Sequence, residues 1–223
     1  MHLKTVVLIL EGKMLIFAHT GLTLGVTRLI EGLISKRYSL GYERIIKTET
    51  LNITKAKKNS PPDPQIQRFS FQGRIDYRLV LLGSMLPDII DKPIGQLFFQ
   101  DFFSNGRIFC HTLLFVLLIT LIGLYLYLRH KRSGMLVISS CSMGHLILDG
   151  MWREPVIFLW PAYGWTFPKT DLTNWLPNIL HALLTNPGIF IPEYIGGVIL
   201  ITFALRLLSR GNVLSFLRTG IIE

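Results

Sequence analysis

Two long apolar runs, Ile108 to Leu128 and Ile189 to Leu208, constrain this chain more than anything else in it. Each supplies the roughly 20 residues that a helix needs to cross the hydrocarbon core of a bilayer. A helix satisfies its own backbone donors and acceptors, which lipid cannot do for it. Composition points the same way: of 223 residues, 50% are hydrophobic and only 17% charged, with a mean hydropathy of +0.44. That is too apolar for an ordinary soluble domain and long enough for one helical bundle. The expectation is an all-α, polytopic membrane bundle, one integral membrane domain over residues 1–223.

Three weaker segments complete it. Met14 to Ile34 is interrupted by His19, Arg28 and Glu31; Leu79 to Ile90 is short, ends in Pro87-Asp88 and could equally be re-entrant; Met135 to Met151 carries His145 and Asp149. Polar residues inside a span usually face a bundle interior, so weak hydropathy is expected wherever a site is built between helices. The count is therefore about five spanning or re-entrant helices.

Charge orients them. Residues 36–78 are rich in basic side chains, Lys55, Lys57, Lys58, Arg68, Arg74 and Arg78 among them, and read as a cytoplasmic loop. Arg129 to Arg132 and the Arg206, Arg210 and Arg218 end belong on the same side. The connections 91–107 and 151–188 are poor in Lys and Arg, and the second carries Trp152, Trp160, Tyr163, Trp165 and Trp175, an interfacial aromatic belt on the extracytoplasmic side. The chain is thus expected in the cell membrane, multi-pass, with the N-terminus extracytoplasmic and the C-terminus cytoplasmic. The net charge of +9 is matched to anionic headgroups, with no nucleic acid expected. Cys110 and Cys141 lie inside apolar segments and read as packing residues. Thr5 to Leu10 is too short for a signal-peptide core, and translation from Met14 would leave residues 1–13 as an extension.

On this topology seven ligand-type residues scattered through the sequence, His19, Asp88, Asp91, His111, His145, Asp149 and Glu193, fall in one layer near the outer face. Asp88 and Asp91 are spaced i,i+3, and His145 and Asp149 i,i+4, so on helices each pair shares a face. Several carboxylates in one buried layer repel one another unless protonated or bound to cations. Histidine with carboxylate is the ligand set of Zn²⁺ and Mn²⁺ sites, and seven such groups exceed what one ion needs, so two ions are allowed. The expected metal ligands are His19, Asp88, His111, His145 and Asp149, with Asp91 and Glu193 as ligands or acid–base groups. Arg107 could clamp a phosphate or snorkel at a helix end, and Trp160, followed by Pro161, could wall a substrate. His130 sits in a basic cluster and is excluded; His181 reads as facing headgroups.

Phe17-Ala18-His19-Thr20-Gly21, Leu82-Gly83-Ser84-Met85-Leu86-Pro87-Asp88-Ile89-Ile90-Asp91, Arg107 with His111-Thr112-Leu113, Gly144-His145-Leu146-Ile147-Leu148-Asp149 and Leu159-Trp160-Pro161 occur in that order. Together they resemble the successive motifs of the membrane-bound metal-dependent hydrolases, also described as LexA-binding, inner-membrane-associated hydrolases. The resemblance implies a polytopic helical protein with metal-dependent hydrolase activity. The chain departs from the pattern at Asp88-Ile89-Ile90-Asp91, where the family more often shows Asp-x-Asp-His, and at Ile108-Phe109-Cys110, where a small or turn-forming residue commonly precedes the His-Thr/Ser pair.

The expected function is a membrane-embedded hydrolase using a divalent metal on a phosphoester or related ester, free or lipid-linked, with membrane lipid as its partner. Two readings compete: a non-enzymatic protein that binds or transports a cation, and a platform whose basic loop binds anionic lipid or a cytoplasmic partner.

Overall fold

The computed structural model describes residues 15–37, 75–171 and 174–221. The extension 1–13 and most of the basic loop 36–78 lie outside them. The chain divides into two compact units, residues 26–75 and the remainder, Met1–Gly25 with Asp76–Glu223. In the smaller unit, residues 26–37 are helical and expose Val26, Leu29, Ile30 and Leu33.

All the regular secondary structure in the described part of the larger unit is helical, with no strand among the described residues. Helix α1 covers residues 16–25 and widens into a π-helical turn at Ala18–Leu22. Helix α2, Tyr77–Lys92, starts where the Asp76 carboxylate accepts the Arg78 N–H at 3.0 Å, a conventional N-cap. It runs on through a π-helical turn, Pro93–Phe98, and a single turn, Gln100–Phe103. Thr112 caps α3, Leu113–His130, by accepting the Phe115 N–H at 3.1 Å. Helix α4 is Gly134–Leu148, α5 Trp175–Thr185, α6 Pro187–Ser209 and α7 Val213–Thr219.

Helix α4 is the hub, packed on α2 and α3, while α6 packs on the turn of α1, on α5 and on α7. Both crossings are tight because glycine removes the side chain. A Cβ at Gly83 would stand 2.8 Å from the Ile138 backbone, and one at Gly196 would stand 2.0 Å from Phe17 O. Lipid is as apolar as leucine, so helices in a membrane gain by such close backbone approach rather than by hydrophobic exclusion from water.

Helices α3 and α6 are long and apolar enough to cross a membrane, each with a window of mean hydropathy 1.9. Their windows are only 17% and 22% buried, so most of each surface faces outward, unlike a soluble core helix. Leu117, Leu121 and Leu124 on α3 and Val198, Ile201 and Leu205 on α6 are exposed. The two long apolar runs of the sequence thus appear as helices, the first from Leu113 onward. Of the weaker segments, α2 has 16 residues, about 24 Å at 1.5 Å per residue, and α4 has 15. Two local expectations change. Ile108 to Thr112 is a non-helical turn before α3, and the connection expected over 151–188 contains α5 and the start of α6.

Candidate metal centre

Four stretches of chain bring five ligand-type side chains together. The π-helical turn of α1 carries His19, α2 carries Asp88, the turn before α3 carries His111, and the end of α4 carries His145 and Asp149. All three histidines are 0% exposed, and Asp88 is 6% exposed. One ligand atom each from His19, Asp88 and His145 lie within 4.8 Å of one another, as do those of His111, His145 and Asp149.

Hydrogen bonds at the far side of two rings determine what faces the middle. Asp91 accepts the backbone N–H groups of Ile108 at 2.9 Å, Cys110 at 3.0 Å and His111 at 3.1 Å, and His111 Nδ1 at 2.7 Å. A carboxylate with that many donors is an acceptor, so Nδ1 of His111 donates to it, and in the neutral ring Nε2 then presents a lone pair toward the centre. His145 Nδ1 lies 2.7 Å from the Ser84 carbonyl oxygen, which can only accept, so Nδ1 donates and in the neutral ring Nε2 presents a lone pair as well. The two Nε2 atoms stand 3.3 Å apart. Asp88 Oδ1 lies 3.5 Å from the first and 3.8 Å from the second, and Asp149 Oδ2 lies 3.7 Å and 4.0 Å from them. Acceptors facing acceptors at this range want a cation between them.

His19 adds a third ring, stacked on His145 with centroids 3.9 Å apart and planes at 22°. Its Nε2 is 3.1 Å from Asp149 Oδ1, yet neither atom makes an aligned hydrogen bond, and His19 Nδ1 has no hydrogen-bond partner among the described residues. Buried polar atoms in that condition are rare in folded proteins, and a site for a bound ion is one accepted reason for them. The donor set, imidazole nitrogen with carboxylate oxygen, fits a divalent ion such as Zn²⁺ or Mn²⁺.

Two cations border the centre. Lys92 Nζ is 2.6 Å from Asp88 Oδ2, and Arg107 Nε is 2.9 Å from Asp149 Oδ2 while its Nη1 is 3.2 Å from Glu154 Oε1. Lys92 holds Asp88 Oδ2 while Oδ1 faces His111 and His145; Arg107 holds Asp149 Oδ2, the oxygen that also faces those two rings, while Oδ1 faces His19. The Arg107 backbone is held by Asn105, whose Oδ1 accepts the Arg107 main-chain N–H at 2.9 Å.

The other two expected acid–base groups are used differently. Asp91 is next to the centre but spends its oxygens on the turn and on His111, so it orients that ring and is not a free base. Glu193, expected in the same layer, caps a helix: Oε1 accepts the N–H of Leu15 at 2.6 Å and of Ala18 at 3.1 Å, and Oε2 that of Phe17 at 3.1 Å. An anion at a helix N-terminus is favoured by the exposed donors and the helix dipole. It stands one residue from His19 and so secures the turn that carries that ligand. Trp160 belongs to an aromatic cluster, 5.5 Å from Phe109 and 5.5 Å from Phe167 between ring centroids. Sequence reasoning overlooked Lys92, although its i,i+4 spacing from Asp88 was a readable sign. It also overlooked Ser84, whose role rests on a backbone carbonyl and leaves no trace in residue type.

A comparison with curated proteins and one with solved structures each return no match. A family model described as YdjM inner membrane protein matches residues 50–216, a stretch that holds every residue of the centre except His19. That match runs through most of the chain and meets the membrane character already written in the outward-facing α3 and α6; the chain belongs to the YdjM inner membrane protein family.

Proposed function

We propose that the centre binds a divalent metal, Zn²⁺ or Mn²⁺, and that the protein is a membrane-embedded metal-dependent hydrolase acting on a phosphoester or related ester. The observation that carries this is the pair of Nε2 atoms of His111 and His145, 3.3 Å apart among carboxylate oxygens, each ring's Nδ1 being held by an oxygen on its far side. A metal there supplies a water of near-neutral pKa and a counter-charge for a phosphoryl oxygen. His145 offers one free nitrogen, because its other is held by Ser84, so the two overlapping ligand groups that share it describe one compact centre better than two independent ions. Asp149, with Oδ2 on Arg107 and Oδ1 without an aligned donor, is the carboxylate best able to ligate or to take a proton from water. Lys92 and Arg107 supply positive charge for the substrate anion.

The topology that accompanies this reading is multi-pass, with the centre at the extracytoplasmic interface, the N-terminus outside and the C-terminus in the cytoplasm; the basic segments support it. A cation carrier would share the centre but would need free polar groups farther along the bundle. The buried hydroxyls farther along α4 are occupied: Ser142 donates to Gly83 O at 3.0 Å, and Ser139 pairs with Thr120. Metal analysis of the purified full chain in detergent, after incubation with Zn²⁺ or Mn²⁺, should find one equivalent bound. Substantially less than one equivalent defeats the proposal.

A further inference from the structure

The stretch from Pro93 to Gly106 leaves α2 directly after Lys92 and returns directly before Arg107, the two cations at the rim of the centre. Its arms touch: the Asn105 N–H donates to Gly95 O at 3.3 Å, and a Cβ at Gly95 would stand 1.9 Å from Asn105 O. At its base the Lys92 stem lies close to Gly106, whose Cβ would be 3.3 Å from Lys92 Cγ. Ser104, Asn105 and Asp101 bind the 168–170 strip, through Ser104 Oγ to Thr170 O at 2.9 Å, Asn105 Nδ2 to Pro168 O at 2.7 Å and Lys169 Nζ to Asp101 O at 2.8 Å. The hairpin is therefore held firmly at its base, while its tip presents apolar side chains to the outside: Leu97 is 72% exposed, Phe98 70%, Phe99 57% and Phe102 75%.

Apolar surface of that size, on a segment too short to span a bilayer and interleaved with Gln96, Gln100 and Asp101, suits the boundary between headgroups and acyl chains. It is continuous with the catalytic side. Phe103 meets Phe109 at 5.7 Å between centroids, and Phe109 is two residues from His111.

We infer that residues 93–106 form a lipid-inserting hairpin and that the centre takes its phosphoester from a membrane lipid, with Lys92 and Arg107 meeting the phosphate while the tip holds the acyl side. The inference rests on the metal-hydrolase reading. One element sets both levels: its apolar tip defines where the acyl chains begin, and its two ends carry the cations that a lipid phosphate would meet. Lys92 spends one of its three donors on Asp88, which leaves donors for an anion.

The test uses Mn²⁺-loaded full chain in nanodiscs containing phosphatidylglycerol, read by paramagnetic broadening of the lipid ³¹P resonance, with glycerol phosphate in solution as the second probe. The expected result is broadening of the lipid signal that drops at least fivefold in a Leu97→Ser, Phe98→Ser double variant, with bound Mn²⁺ and helix content unchanged. Phe98→Leu, which keeps the side chain apolar, should retain the broadening. Broadening of glycerol phosphate but not of lipid, or a double variant that behaves as the wild type, overturns the lipid inference and leaves the metal reading standing. Failure to bind Mn²⁺ overturns the metal reading and this inference with it.

Discussion

At the scale of single residues, the candidate centre works through atoms that are already spoken for on their far sides. His111 and His145 each surrender Nδ1 to an oxygen, and only this makes Nε2 available. Asp91→Asn keeps the size of the side chain but removes the charge that fixes the His111 tautomer. Losses of this kind at a ligand's supporting partner typically cost 10–100-fold in metal affinity, so Asp91→Asn should weaken Zn²⁺ binding by about that factor in a competitive chelator titration. An unchanged affinity would show that Asp91 serves the turn alone. His111→Ala should remove binding outright. The types of these residues could be read in the sequence, and so could the company they keep. Their division of labour could not, because an Asp that ligates and an Asp that collects backbone N–H groups look identical until the turn at Ile108–Thr112 has formed.

At the scale of elements, two junctions set the geometry. Where α1 meets α6, the Glu193 carboxylate binds three backbone donors and Gly196 admits the Phe17 carbonyl. Hydrogen bonds to charged groups are each worth about 1.5–3 kcal/mol, and a buried donor left bare costs a similar amount. Glu193→Ala should therefore lower thermal stability in detergent and, by releasing the turn before His19, reduce metal affinity as well. Gly196→Ala should do the same through steric conflict, and a variant as stable as wild type would contradict the close crossing. Where α2 begins, Asp76 is held below the usual carboxylate range, chiefly by its hydrogen bond from the Arg78 side chain, which also reaches Leu217 O and Arg218 O at the end of α7. A folded-state pKa below the unfolded one contributes stability above the unfolded value, and that contribution is lost as pH falls through the folded value. Asn caps a helix as well as Asp does, so Asp76→Asn isolates the charge. Its melting temperature should lie below wild type at neutral pH, and the gap should narrow as the solution is acidified below pH 4. A gap independent of pH would refute the assignment.

At the scale of the whole molecule, the outward faces of α3 and α6 demand lipid. Leu121, 62% exposed, lies midway along α3. An arginine near the centre of a spanning helix costs about 2.5–3.5 kcal/mol on insertion scales, so Leu121→Arg should sharply lower the fraction of chain that integrates into membranes in an insertion assay. Normal integration would argue that α3 does not cross. Helices α3 and α6 were legible as runs of apolar residues, since a spanning helix is specified by length and hydropathy alone. Helices α2 and α4 were less so, because residues such as Asp88, His145 and Asp149 that make them useful also interrupt the pattern. The sequence alone determined that the chain is apolar, helical and suited to a membrane, and it named the histidines and carboxylates available for a metal, because those properties reside in residue type and spacing. Tertiary structure alone decided which of them form the centre, which oxygens and nitrogens remain free, and that Glu193 caps a helix, because a hydrogen bond is committed only when distant parts of the chain have packed against each other.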